Sequence, residues 1–174
     1  HIDRHCLLTA SYPVTIDPTI TAVDLRVSDM GPEGDIDFDA QEADVAFNSV
    51  NGEYLDSPRA TAFFQLVSEM DVPVFVHPPK FTIGNEKMEI FRLPEMLGRP
   101  FDTTLSLTRF IFTGGLERFP KLKLVCAHVG GALPMLPGRY GFGYELRKDT
   151  SFGPWEPDVM TRPPASYIAQ LYLD

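Results

Sequence analysis

Little in this sequence points to a membrane, a polynucleotide or an oxidising compartment. No apolar run approaches the roughly 18 residues that a bilayer-crossing helix needs. Basic residues are in deficit: 15 Lys and Arg against 24 Asp and Glu give a net charge of -9. Such a chain repels phosphate backbones and anionic lipid surfaces, so neither nucleic acid nor membrane is an expected partner. Cysteine is scarce, with two in 174 residues. Cys6 and Cys126 each sit in an apolar run and read as buried free thiols rather than a disulfide framework, which suits a cytoplasmic setting. The opening His1-Ile2-Asp3-Arg4-His5 does not read as a signal peptide. Internal repeats and low-complexity stretches are missing, and so is the Gly-x-Ser-x-Gly elbow of a serine hydrolase.

What is present is the material of one globular domain over residues 1–174. Apolar residues make up 44% and charged residues 22%, and the length suffices for a sizeable core. Thirteen Phe and six Tyr argue against disorder. Sixteen Pro predict sharply ended segments. The apolar run Cys6–Ala10 reads as a buried strand. Residues 28–44 carry seven acidic and no basic residues and read as a connector. Val45-Ala46-Phe47 reads as a short strand, followed by the turn signal Asn51-Gly52.

From residue 57 the pattern becomes regular. Ser57 and Pro58 suit a helix start, and Ala60, Phe63, Phe64 and Val67 follow at helical spacing, with Pro73 expected to end the helix. Val74-Phe75-Val76 is a β-branched and aromatic strand stopped by His77-Pro78-Pro79. A second helix is expected over 104–117, burying Leu105, Thr108, Ile111 and Phe112. Leu122 to Ala127 is the next strand, ended by His128-Val129-Gly130-Gly131. A looser helix follows, interrupted by Pro137, Gly141 and Gly143, before Leu171-Tyr172-Leu173. Helix and strand in alternation mean βα units and a parallel sheet. Doubly wound sheets and barrels both satisfy that pattern.

Three polar residues stand directly after strand-like runs: His77, His128 and Asp174. In parallel α/β folds the C-terminal strand ends share one face, where active sites form. Two imidazoles and a carboxylate there can bind a metal or exchange protons; each can equally cap its strand by bonding backbone. Gly130-Gly131 lets the backbone approach a ligand, or simply packs strand tightly to helix. Arg139 can pair with a carboxylate or stand solvated at the surface. His1 and His5, four apart, lack the glutamate and the helix that a zinc His-x-x-x-His site uses. Asp56 and Asp71 read as solvated charges flanking a helix.

The stretch Gly115-Leu116-Glu117-Arg118-Phe119-Pro120-Lys121-Leu122-Lys123-Leu124-Val125-Cys126-Ala127-His128-Val129-Gly130-Gly131-Ala132-Leu133-Pro134 resembles the amidohydrolase superfamily. The branch it resembles is that of aminocarboxymuconate-semialdehyde and γ-resorcylate decarboxylases. Asn51 to Arg59, Val72 to Pro78 and Gln170 to Asp174 agree with it, so the resemblance covers about residues 45–174. It implies a (β/α)8 TIM barrel with a divalent metal, zinc first and manganese second, at its C-terminal face. It makes His77 a metal ligand and His128 a general acid or base beside the metal. Arg139 becomes a substrate-carboxylate anchor reaching a neighbouring subunit, and Asp174 a residue behind the ligands at a strand end. A dimer or higher homo-oligomer is implied.

The sequence departs from the family, and its region 20–44 is too short and too acidic for the strand and helix that the family places there. It has no His-x-His pair on a first strand and no eighth-strand metal Asp. A full barrel takes about 250 residues. The barrel is therefore expected to be incomplete at the N-terminus, at the C-terminus and within 17–45. The implied activity is metal-dependent decarboxylation of an unsaturated or aromatic carboxylic acid. The alternatives are a metal-dependent hydrolase or hydratase with the same site, and an inactive barrel relative serving as an interaction module.

Overall fold

The structure is a computed structural model. It describes residues 53–79, 82–149, 151, 155 and 158–173, together with the backbone of four short strands between residues 14 and 50. The expected strand at 6–10, the acidic connector at 28–44 and Asp174 lie outside the described residues.

In chain order, β1 (Val14–Ile16) and β2 (Leu25–Val27) pair antiparallel. After β3 (Ala46–Phe47), β4 (Ser49–Val50) and β5 (Glu53–Tyr54) form a small antiparallel pair across Asn51-Gly52. Ser57 caps a 3-10 turn at Pro58–Ala60 by accepting the Arg59 N–H, and α1 (Thr61–Glu69) continues from it. Proline 73 does not stop this helix. The stop comes earlier, at Asp71, whose φ of 56° turns the chain. Pro73 instead opens β6 (Pro73–His77), a first-residue position where its missing N–H costs little.

The second helix, α2 (Arg99–Phe112), starts a turn earlier than the sequence pattern suggested and follows a π-helical turn at Pro94–Gly98. Its buried face also differs. Asp102, Thr103, Ser106, Leu107, Phe110 and Ile111 are buried, a stripe of small polar and apolar residues that an apolar template does not find. Gly114, at φ 77°, separates α2 from the short α3 (Gly115–Arg118). The strand β7 (Lys123–Cys126) leads into two 3-10 turns and then α4 (Pro137–Leu146). Pro137 starts this helix instead of breaking it, and Gly141 and Gly143 sit inside it with open space where a Cβ would be. A 3-10 turn at Pro164–Gln170 precedes β8 (Tyr172–Leu173).

Strands β3, β6, β7 and β8 form one parallel sheet in that order. Each neighbour is reached through a helical crossover, as parallel pairing requires. Among the described residues the helices gather on one face. Val74, Val76, Leu124 and Cys126 point into a core shared with Phe64, Val67, Leu107, Ile111 and Leu116. Phe64 anchors it, with its ring centroid 4.8 Å from Phe110 and 6.1 Å from Phe119. Burying each such side chain is worth about 1.5–3 kcal/mol. The other face carries Phe75, Val125 and Tyr172 in register, and Phe75 and Tyr172 are 48% and 56% exposed. Doubly wound sheets are covered on both faces, whereas barrel walls carry helices outside only. The described sheet is thus an arc of a TIM barrel, and the barrel is incomplete.

Candidate active site at the strand ends

The parallel register puts His77, the last residue of β6, and His128, two residues past β7, at the same end of the sheet. Alternation along β6 sends Val74 and Val76 to the helices and Phe75 and His77 to the inner face, as a period of two requires. Pro78 has no N–H with which to extend the ladder. The His77 ring turns back so that Nδ1 lies 2.8 Å from the Pro78 carbonyl oxygen. A carbonyl only accepts, so Nδ1 carries a proton, and in the tautomer this selects the lone pair sits on Nε2.

His128 is held differently. Ala127 still donates to the Val76 carbonyl (3.1 Å), so the strand pairing runs up to the histidine. Then φ turns positive at four successive residues: 58° at His128, 56° at Val129, 69° at Gly130 and 67° at Gly131. Glycine takes this region freely, but His and β-branched Val do not. Each non-glycine residue there costs on the order of 1–3 kcal/mol. The result brings the His128 ring to 5.1 Å from the His77 ring, centroid to centroid, at 49°. Nδ1 of His128 is buried.

Of the four residues singled out from the sequence, these two are brought together. Arg139 stands on an exposed part of α4 with its guanidinium 5.8 Å from the centre of the Phe142 ring. The two 3-10 turns before α4 remove the regular helical spacing that would have related it to His128. Asp174 follows β8 and lies outside the described residues. Asp71 is exposed and pairs with Lys123 (2.9 Å). Asp56 is not solvated: its carboxylate receives Arg109 Nε and Nη2 at 3.0 and 2.8 Å.

One buried carboxylate escaped the sequence reading. Asp102, in the first turn of α2, is 1% exposed. Its Oδ1 accepts from the Tyr54 hydroxyl (3.1 Å) and from the Ile83 N–H (3.2 Å). It thereby ties β5 and the segment after His77 to α2. Burial, and then the neighbouring Asp102 charge, push the Tyr54 phenol up to about 12. An acidic residue in a first helical turn is the available signal, and the expected start at residue 104 placed Asp102 outside the helix.

A divalent metal fits His77, whose Nε2 lone pair faces away from its own backbone bond. The His128 ring lies beside it, 5.1 Å away centroid to centroid. Zinc sites use three or four protein ligands, and among the described residues no group of three His, Cys, Asp or Glu gathers. The donor set here is therefore partial.

A family model described as amidohydrolase matches residues 25–152. The chain belongs to the amidohydrolase family. Over 129 residues this amidohydrolase chain is 32% identical to 2-amino-3-carboxymuconate-6-semialdehyde decarboxylase of Dictyostelium discoideum, covering 73% of this chain and 34% of that protein. Among solved structures, 5-carboxyvanillate decarboxylase of Sphingomonas paucimobilis superposes with a TM-score of 0.63 at 21% identity, over 72% of this chain and 37% of that one. The enzyme of the same name from Novosphingobium aromaticivorans was solved with manganese and 4-hydroxy-3-methoxy-5-nitrobenzoic acid. It gives a TM-score of 0.58 at 22% identity, over 72% of this chain and 36% of that one. The amidohydrolase chain thus spans about a third of the length of the Dictyostelium relative.

Proposed function

We propose that the protein is a divalent-metal-dependent decarboxylase, a carbon–carbon lyase acting on an unsaturated or aromatic carboxylic acid. The observation that carries this reading is the pair at the strand ends: His77, with Nδ1 held by Pro78, facing His128 at 5.1 Å. The names of the relatives supply the substrate class. The activity belongs to the whole barrel domain, in which we include residues 1–174.

The roles follow from the chemistry of each side chain. His77 would hold the ion through Nε2, with Asp174 behind the ligands, and zinc is the first choice of metal with manganese the second. The bound ion would supply positive charge against a substrate oxygen. His128 delivers a proton to the ring or alkene carbon that bears the carboxylate. The new C–H bond forms at that carbon, conjugation is interrupted, and the C–C bond to the carboxylate then breaks. Its electron pair restores the conjugated system and carbon dioxide leaves. His128 recovers its proton from solvent. An imidazole suits this exchange because its ordinary pKa lies near neutrality. Arg139, exposed on α4, would anchor a substrate carboxylate in a neighbouring copy, which requires a dimer or higher oligomer. A cytoplasmic setting fits the buried cysteine Cys126.

The test uses the full-length protein loaded separately with zinc and with manganese. Carbon dioxide release is measured from 5-carboxyvanillate, dihydroxybenzoates and aminocarboxymuconate semialdehyde. Release from at least one acid, dependent on metal, supports the reading. A metal-loaded, folded protein that hydrolyses or hydrates substrates without releasing carbon dioxide overturns it.

A further inference from the structure

We propose that Thr104 is a positioning residue for His128, acting through the left-handed run 128–131. The proposal rests on the reading of His128 as the proton carrier. It adds the device that keeps that ring against His77.

The geometry is a clamp between α2 and the turn after β7. Thr104 sits in the second turn of α2, on the side facing the strand ends. Its hydroxyl donates to the Pro100 carbonyl (2.7 Å) and accepts the Ala132 N–H (2.8 Å). With its proton committed to Pro100, the oxygen presents lone pairs to Ala132, so the two bonds support each other. Between His128 and Ala132 the chain closes on itself: Gly130 donates to the Ala127 carbonyl (3.1 Å) and Gly131 to the His128 carbonyl (2.8 Å). His128 is therefore linked to Thr104 by one short hydrogen-bonded path.

Gly131 shows how closely the two elements meet. A Cβ there would overlap the Pro100 oxygen and the Thr104 hydroxyl. A Cβ on Gly130 would press on Leu173 of β8. The turn is thus seated on the helix on one side and on the next strand on the other. His128 and Val129 hold positive φ without being glycine, and such conformers persist only where the surroundings over-determine them. The Thr104 clamp is a side-chain hydrogen bond that acts on the turn from outside it. Released, His128 and Val129 return toward negative φ, and a change of sign at the histidine swings its ring away from His77.

The experiment needs neither substrate nor metal. Full-length protein carrying isotope-labelled histidine is examined by NMR, with His77 and His128 assigned from single Ala variants. The readouts are the ring-to-ring nuclear Overhauser cross-peak and the His128 Cα and Cβ shifts, which report positive φ. A thermal melt accompanies both. In Thr104→Val the cross-peak is expected to be lost and the His128 shifts to move toward ordinary values, while Thr104→Ser retains both. Should the valine variant not fold, Thr104→Ala removes the same hydroxyl with less bulk and higher helix propensity, and the same loss is expected. A lowered melting temperature with cross-peak and shifts intact would make Thr104 merely structural and overturn the proposal. Failure of decarboxylation would leave these NMR results as they stand, so the two readings fail separately.

Discussion

Strands β6 and β7 lie side by side, end at the same edge and each deliver a histidine, yet they fix it by opposite means. At β6 the side chain is constrained: Nδ1 of His77 is bound to Pro78 (2.8 Å) and the backbone leaves as an extended strand. At β7 the backbone is constrained, with positive φ at His128 and at the three residues after it. The first arrangement sets a tautomer and leaves a lone pair ready for a metal. The second sets the direction of the ring through the backbone of the turn that carries it. Local geometry thus distinguishes two histidines whose rings lie 5.1 Å apart, in line with the separate roles proposed for them.

The sharpest way to break this contrast is to exchange the losses. His128→Asn in the full-length protein should keep metal content and melting temperature while turnover falls roughly 10²–10⁴-fold, the scale of general acid–base catalysis. A purely structural His128 would instead lower stability, with activity falling only in proportion. His77→Ala should act on the metal first. Its affinity should fall by about 10²-fold or more, since even residues that only orient ligands are worth about 10–100-fold. Metal analysis after dialysis checks this, and wild-type stoichiometry would remove His77 from the ligand set.

The two ends were not equally legible in the sequence. His77 and His128 could be found because each closes an apolar run, and that logic needs only strand periodicity and the proline or glycine that follows. The barrel could not be told from a doubly wound sheet, because helix placement on one face is a tertiary fact. The seat of the β7 turn was also hidden. Thr104 and Pro100 lie 27 and 31 residues before Gly131 in sequence, and α2 buries Thr103 and Ser106 where an apolar template looks for Leu105. Asp102 went unseen because the expected helix start at residue 104 left it outside the helix, which begins at Arg99.

Stability effects come next in size and fall on the β7 side. Gly131→Ala places a Cβ against the Pro100 oxygen at a φ of 67°. The expected destabilisation is about 1–3 kcal/mol, measured by denaturant unfolding. Gly141→Ala in α4 meets nothing within 4 Å and should stabilise modestly, by roughly 0.5–1 kcal/mol. Equal effects at the two glycines would show that the turn is not seated on α2.

A smaller effect is readable through pH, at the contact that holds the segment after His77. Tyr54 has its phenol pushed up to about 12 by burial and by Asp102, above the usual value of about 10. The folded protein thus keeps a proton that the unfolded chain has released. The contribution is complete below pH 10 and is lost as pH rises through about 12. Tyr54→Phe should remove this component from the alkaline limb of the stability curve. An unchanged alkaline limb would mean that the phenol is not held by Asp102.

The smallest expected effect lies away from both histidines and marks the background against which they are judged. Arg109 donates to Asp56 through two parallel bonds of 3.0 and 2.8 Å, and its guanidinium stands 5.4 Å from the centre of the Tyr54 ring. Asp56 is 9% exposed at its side chain but Arg109 is 49% exposed, so water screens much of the pair. Arg109→Lys keeps the charge and loses the planar fork. The expected loss is about 0.2–1 kcal/mol, shrinking as salt rises from low to physiological ionic strength. Melting curves at two salt concentrations check it. A loss above that range, insensitive to salt, would mean that Arg109 steadies Tyr54 and, through Asp102, the segment leaving His77. The side-chain-constrained end would then depend on a distant clamp just as the backbone-constrained end depends on Thr104.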